Sequence, residues 1–174
     1  MNRLFLIVLA VAALTFSCDK LDDLLTFYIN HDATFTIEAT APVNLPIDIS
    51  TPDIATNSSQ DFENNNTRSD LVKDVKLNDL SLTITAPAGE NFDFLKSVFI
   101  YISTDSNNEV LLASVEEVPM NVTFVEMIPT ESALDSYVKA SSYSLRTKIV
   151  TRETLTEAVD VKVDMEFKVT AKPL

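Results

Sequence analysis

Apolar and polar residues alternate along much of the chain beyond residue 24, and a period of two is typical of half-buried β-strands. The longest such stretch is 158–170. There, four apolar residues alternate with four charged ones, in the order Val161, Lys162, Val163, Asp164, Met165, Glu166, Phe167 and Lys168. The pattern predicts a strand that buries one face and leaves the other in water.

Two pairs of neighbouring strands are separated by turn-forming residues, which predicts two hairpins. The first joins 24–30 to 33–39 through Asn30-His31-Asp32. The second joins 97–103 to 109–115 through Asp105-Ser106-Asn107-Asn108. Further strands are predicted at 44–50, 72–77, 80–85, 121–127 and 142–151. Pro46 places the strand at 44–50 on a sheet edge, because proline has no N–H to donate.

Three segments lack the strand pattern. Residues 51–69 are rich in Asn, Ser, Thr and acidic residues, which indicates a long polar loop or a short helix at 59–64. A helical turn is predicted at 91–96, and a short helix at 131–139. About nine short strands with so few helices predict a mainly β fold, an antiparallel β-sandwich of Ig-like or jelly-roll-like type; a closed barrel is the alternative.

The N-terminus has the features of a secretory signal helix. Arg3 precedes an apolar run at 4–14, which is shorter than the ~20 residues of a membrane-spanning helix. The run leads to Ser17 and Cys18, and charged residues follow at 19–23. This junction resembles a bacterial lipobox, although Phe16 is bulkier than the commonest residue there. The resemblance implies cleavage between Ser17 and Cys18 and lipidation of Cys18.

The cysteine count agrees with an anchor. Cys18 is the only cysteine, so it has no disulfide partner within the chain. A diacylglycerol with an N-acyl chain on Cys18 would bind a membrane far more strongly than the single chain that gives marginal binding. The expected organisation is a signal peptide at 1–17, a lipidated tether at 18–23, and one β-sandwich domain at 24–174 with a polar loop near 51–69.

Charge and composition exclude several classes of function. Residues 1–17 contain one basic residue and no acidic one, so the chain from Cys18 onward carries a formal side-chain charge of −14. Such a charge repels nucleic acid and anionic headgroups. The single glycine, Gly89, excludes P-loops and dinucleotide fingerprints, and the single histidine, His31, excludes a site built on several histidines. No cofactor is expected.

Two stretches, KLNDLSLTITAPAGENFDFLKSVFIYIS at 76–103 and LRTKIVTRETLTEAVDVKVDMEFKV at 145–169, resemble a group of Bacteroidota lipoproteins of unknown function. The resemblance covers most of the chain after the signal and rests on no catalytic motif. It implies an outer-membrane location and a β-sandwich, and no activity. Asp22-Asp23 partly resembles the acidic surface-export signal of that phylum, and exposure at the periplasmic face or at the cell surface stays open.

Three sets of residues have the composition of a site, and each has a plainer interpretation. Residues 105–109 carry oxygen atoms at alternating positions, as calcium loops do, yet they equally form a hairpin turn. Acidic pairs of the kind glycosidases use are expected by chance among 26 acids: Asp22-Asp23, Asp61 with Glu63, and Glu116-Glu117. Six aromatic residues either line a ligand surface or belong to the core: Tyr28, Tyr101, Tyr137, Tyr143, Phe92 and Phe94.

The sequence therefore favours a non-enzymatic, lipid-anchored envelope protein that acts as a structural, accessory or partner-binding module. A protein partner in the envelope is expected, no nucleic-acid partner is, and the sequence identifies no small-molecule ligand. The alternative is a surface glycan-binding or adhesin-type protein, for which exposed aromatic side chains would be the distinguishing feature. A hydrolase is disfavoured by the lack of a recognisable set of catalytic side chains.

Overall fold

Residues 25–172 are described by the structure, a computed structural model, and they form two antiparallel β-sheets packed as a sandwich. In that range the strands are β1 (Thr26–Ile37), β2 (Pro46–Ser50), β3 (Ile54–Ala55), β4 (Val72–Ala86), β5 (Leu95–Ser103), β6 (Val110–Val115), β7 (Phe124–Glu126), β8 (Ile128–Pro129), β9 (Ser142–Thr151) and β10 (Val159–Ala171). The helical segments are α1 (Ser58–Asn64), a 3₁₀ turn (Phe92–Phe94) and α2 (Asp135–Val138). The predicted mainly β fold class is confirmed. The predicted signal helix lies outside the described residues.

The first sheet, sheet A, has the strand order β1-β10-β4-β7. Strand β10 is paired with β1 on one side and β4 on the other. Its apolar residues are buried between the sheets, and its charged residues lie on the outer face, as the alternation predicts. Phe167 is fully buried at the centre of this strand. The prediction of one dry and one wet face is therefore confirmed.

The second sheet, sheet B, has the order β2-β9-β5-β6-β8, and β3 also pairs with β9. The predicted hairpin between β5 and β6 is present, with its turn at 104–109. The strand that contains Pro46, β2, lies at the edge of the sheet, as predicted. Proline is tolerated there because an edge strand leaves part of its backbone unpaired.

The predicted hairpin at 24–39 is wrong. Its two halves form one continuous strand, β1, in which Asn30, His31 and Asp32 pair with Glu166, Met165 and Asp164 of β10. His31 occupies an inward position between Ile29 and Ala33, so the period of two continues through the presumed turn. The turn preference of three residues is outweighed by twelve consecutive pairs with a long partner strand.

The strands predicted at 72–77 and 80–85 are also one strand, β4. Leu77 and Leu80 both face the core although their spacing of three breaks the alternation. A register shift resolves the conflict, because Leu77 pairs with Phe167 and Asp79 with Glu166, which leaves Asn78 as the extra residue of a β-bulge. The bulge restores the inward direction of the apolar residues that follow it.

All three predicted helical segments are present, and two of them are shorter than predicted. The segment 51–69 contains α1 and the two-residue strand β3, so the short-helix alternative holds. Strand β1 begins beside α1, since the rings of Phe27 and Phe62 stand edge to face with centroids 6.3 Å apart. The helix predicted at 131–139 is limited to α2, where Tyr137 and Val138 are buried. The helical turn predicted at 91–96 is the 3₁₀ turn.

Candidate functional site: the open edge of sheet A

His31, the one histidine, is part of the core. Its side chain is 8% exposed, and Nδ1 lies 2.8 Å from the hydroxyl of Tyr143 on sheet B. The imidazole and the Phe167 ring pack at 5.5 Å between centroids. Burial lowers the pKa of His31, although the backbone of Thr56 and the carboxylates of Asp61 and Asp32 favour the charged form. His31 therefore links the two sheets as a neutral, largely buried side chain.

This environment makes the folded state sensitive to acid. Unfolded histidine titrates near pH 6.5, while the folded domain resists protonation of His31. Above pH 6.5 the titration of His31 costs the folded state nothing. As the pH falls below 6.5, unfolded His31 binds a proton that folded His31 resists, so the free energy of unfolding decreases, by at most about 1.4 kcal/mol at pH 5.5. We expect His31→Gln to lose less stability than the wild type between pH 7.5 and 5.5 in denaturant titrations. Parallel pH profiles of the two proteins would contradict this.

The turn proposed as a calcium loop is held by its own hydrogen bonds. Asn108 Oδ1 accepts from the backbone N–H groups of Thr104 and Asp105 at 3.0 and 3.2 Å, and Asp105 Oδ1 accepts from that of Asn107 at 2.7 Å. Both carboxylate oxygens of Glu109 are engaged by Arg146 at 2.6 and 2.8 Å. The turn interpretation therefore accounts for the Asn108 amide oxygen, one Asp105 oxygen and both Glu109 oxygens. Among residues 25–172, no three His, Cys, Asp or Glu side chains converge as a metal-binding group.

The acidic pairs are spread over the molecule. Asp61 and Glu63 lie on α1, whereas Glu117 sits at the other end of the sandwich, 3.5 Å from the guanidinium of Arg152. Asp22-Asp23 lies outside the described residues, as do Ser17 and Cys18. No helix within 25–172 has the length and apolarity to span a membrane.

The six aromatic residues are not gathered on one surface. Four of them are buried, namely Phe92, Phe94, Tyr137 and Tyr143. Tyr101 lies beneath Arg146, whose guanidinium carbon stands 4.1 Å from the ring centroid. Tyr28 is the most exposed of the six, at 48%, and lies on the outer face of β1. The core interpretation therefore holds for most of this set.

The four sheet edges differ greatly in length. On sheet A the edges are β1 and β7, and on sheet B they are β2 and β8. Three of these strands have two to five residues, and two of those contain a proline, Pro46 or Pro129. Short strands and prolines are devices that prevent an edge from pairing with another chain. Strand β1 is the exception, with 12 residues.

The free side of β1 presents a long, regular backbone. All 12 of its residues pair with β10 without a register shift, so the strand contains no bulge. It contains no lysine, arginine or proline. Within the described part of the chain, no second strand is hydrogen-bonded to it; β2 lies nearby but pairs with β9. Thr26, the first residue of β1, makes a further interaction, so the open stretch is taken as 28–36. The stretch 28–36, which has no hydrogen-bonded strand on this side among residues 25–172, has the form of a template for β-sheet extension.

A shallow acidic hollow adjoins this edge on the outer face of sheet A. It has a volume of about 260 Å³, and its lining includes Asp32, Asp79, Asp164 and Glu166. Asp32 faces Asp164 across the β1–β10 ladder, and Asp79 faces Glu166 across the β10–β4 ladder. Carboxylates placed directly opposite each other repel. The Nζ atom of Lys162, 2.5 Å from Asp164 Oδ1, offsets part of this negative charge.

This edge was not predicted from the sequence, because a turn was expected at residues 30–32. Two short strands joined by a turn do not offer a long open backbone. The signal that was available is the unbroken alternation of Ile29, His31, Ala33, Phe35 and Ile37, all of which are buried. Which side of β1 stays unpaired depends on the order of strands in the sheet, which no local pattern encodes.

No protein-family model and no curated protein matches the chain. Solved structures with a distant likeness include chains of turnip yellow mosaic virus (14% identity, 85% of this chain and 96% of that one, TM-score 0.28) and Desmodium yellow mottle tymovirus (11% identity, 85% and 90%, TM-score 0.28). Another is the protein FLHE, at 8% identity over 85% of this chain and 98% of that one, with a TM-score of 0.32. Similarities this weak carry no inference about the present chain.

Proposed function

We propose that this chain is a lipid-anchored protein of the outer membrane, without enzymatic activity, whose β-sandwich binds a protein partner of the cell envelope through β1. The observation that carries the proposal is the 12-residue edge strand without bulge, proline or lysine. An exposed edge of this length is a hazard for any protein, because it invites unwanted pairing. A partner that covers it removes the hazard.

The side chains that could take part in catalysis are engaged in bonds within the sandwich, which supports a non-catalytic role. His31 and Tyr143 bond to each other inside the core, and Arg146 is held by Glu109 and Asp48. Burial also raises the pKa of Tyr143, which keeps its hydroxyl protonated. These side chains stabilise the sandwich. A function of the exposed backbone therefore fits the molecule better than a function of reactive side chains.

The anchor places β1 near the membrane. Seven residues lie between Cys18 and Thr26, the first residue of β1. Fully extended, such a tether reaches about 25 Å. A protein fixed at Cys18 thus presents the beginning of β1 within that distance of the bilayer, where a membrane-embedded or membrane-associated partner is accessible.

Site-specific photo-crosslinking in the native envelope tests the proposal. A photoreactive amino acid replaces Thr34, which is exposed on β1, and in a control chain replaces Ser50, which is exposed on the edge strand β2. We expect one discrete protein adduct from position 34 and none of that mass from position 50. The same adducts from both positions, or no adduct from position 34, would contradict a partner at β1.

A further inference from the structure

We infer that the occupant of the β1 edge is an extended segment of the partner, added to sheet A as a further strand and carrying a lysine or arginine beside Asp32. The inference rests on the proposed function and specifies the chemistry of its partner. It depends on three features of the edge: the backbone of 28–36, which has no second strand partner among the described residues, the charge beside it, and the position of the tether.

The backbone sets the conformation of the occupant. On one side β1 is paired with β10 in regular register, so the remaining N–H and C=O groups of 28–36 point outward at strand spacing along about 30 Å. A neighbouring strand satisfies such a row in full. A helix cannot, because its own backbone groups are bonded internally. The occupant is therefore extended.

The charge beside the edge determines the chemistry of one side chain of the occupant. An added strand lies about 4.8 Å from β1, and the side chains on its outer face neighbour Tyr28, Asn30, Asp32 and Thr34. Asp32 is the charged residue of that row and borders the acidic hollow. A basic side chain at the facing position reaches Asp32 and relieves the repulsion between Asp32 and Asp164.

A second copy of this chain fits the edge less well. Each anchored copy carries a formal side-chain charge of −14, so two copies repel each other. An antiparallel β1–β1 pair also places the two N-terminal ends about 40 Å apart along the strands, so two tethers of about 25 Å reach one membrane only when the strands are tilted by less than about 40° from its plane. A basic segment of another protein meets neither difficulty.

Peptide binding to the full chain in detergent solution tests the inference. The probe is a capped nonapeptide, Thr-Val-Thr-Val-Lys-Val-Thr-Val-Thr. One control has glutamate at the centre; another keeps the lysine but has proline at the third and seventh positions, which removes two backbone donors. Hydrogen–deuterium exchange is followed at the amides of β1.

We expect the lysine peptide to slow exchange in β1 at least tenfold at saturation, the proline peptide to have no effect, and the glutamate peptide to bind at least fivefold more weakly. The Asp32→Asn substitution and 1 M salt are each expected to reduce the difference in binding affinity between the lysine and glutamate peptides.

Three results would overturn the inference. They are no protection of β1 by any peptide, equal binding of the lysine and glutamate peptides, and protection without peptide that grows with protein concentration, which indicates a second copy. If photo-crosslinking at position 34 gives an adduct but no peptide binds, only the inference that the partner adds an extended strand is overturned. The proposed function, partner binding at β1, then stands.

Discussion

Replacing Cys18 with alanine is expected to move the protein almost completely from the membrane fraction to the soluble fraction. The thiol is the sole point in the chain at which a thioether-linked lipid can form, since the sequence has one cysteine. Two or three acyl chains give stable anchoring, whereas an acidic protein without them has no affinity for an anionic membrane. Fractionation and labelling with an alkyne fatty acid measure the change.

The fold should be unaffected by this substitution, because Cys18 precedes the first described residue, Leu25, by seven positions. We expect equal melting temperatures for the Cys18→Ala and wild-type domains. Ser106→Ala, in an exposed turn, serves as the control and should retain both label and membrane association. Fatty-acid label on the Cys18→Ala protein, or its continued presence in the membrane fraction once residues 1–17 have been removed, would disprove the anchor.

Phe167→Ala is expected to lower the free energy of unfolding by about 3–5 kcal/mol, the usual range for a buried phenylalanine. The Phe167 ring is fully buried and packs against His31 and Tyr143, with ring centroids 5.5 and 6.4 Å away. Its removal leaves a cavity where the two sheets meet. Urea denaturation followed by circular dichroism measures the loss.

The matched control is Phe124→Ala, because Phe124 is 51% exposed on the short edge strand β7. Its truncation leaves no internal cavity and should cost less than about 1 kcal/mol. A loss for Phe167→Ala no greater than that for Phe124→Ala would show that the described core does not hold the sandwich together.

Strand β10 and the fold class could be predicted from the sequence because their signal is local. Alternation from Val161 to Lys168 reports one buried face, and several such segments between turns indicate a sandwich. Strand β4 could not be predicted as one strand, since the spacing of Leu77 and Leu80 looks like a break. The β-bulge at Asn78 that reconciles them exists only through pairing with β10.

The candidate site could not be predicted from the sequence, for a related reason. Asn30-His31-Asp32 has the composition of a turn, and it stays extended because Glu166, Met165 and Asp164 pair with it from a strand far along the chain. The acidic hollow likewise combines residues of three strands, β1, β4 and β10. Long-range pairing determines both features, whereas propensity describes neighbours in sequence.

The most direct test of partner binding at β1 is to block the edge without unfolding the domain. Asn30→Lys with Thr36→Lys places two lysines on β1, each opposite a carboxylate of β10, Glu166 or Asp160, so the sheet should tolerate them. Edge lysines are a natural device against strand addition, and they repel a basic segment. Ser59→Lys with Gln60→Lys on α1 is the control with the same change in charge.

The measurement is the amount of partner that co-purifies per mole of each variant from the detergent-solubilised envelope, with circular dichroism confirming that each domain is folded. The partner is defined as the protein that crosslinks at position 34. We predict at least a tenfold loss for the β1 variant and full retention for the α1 control. Equal retention by both folded variants would contradict partner binding through the open edge of sheet A.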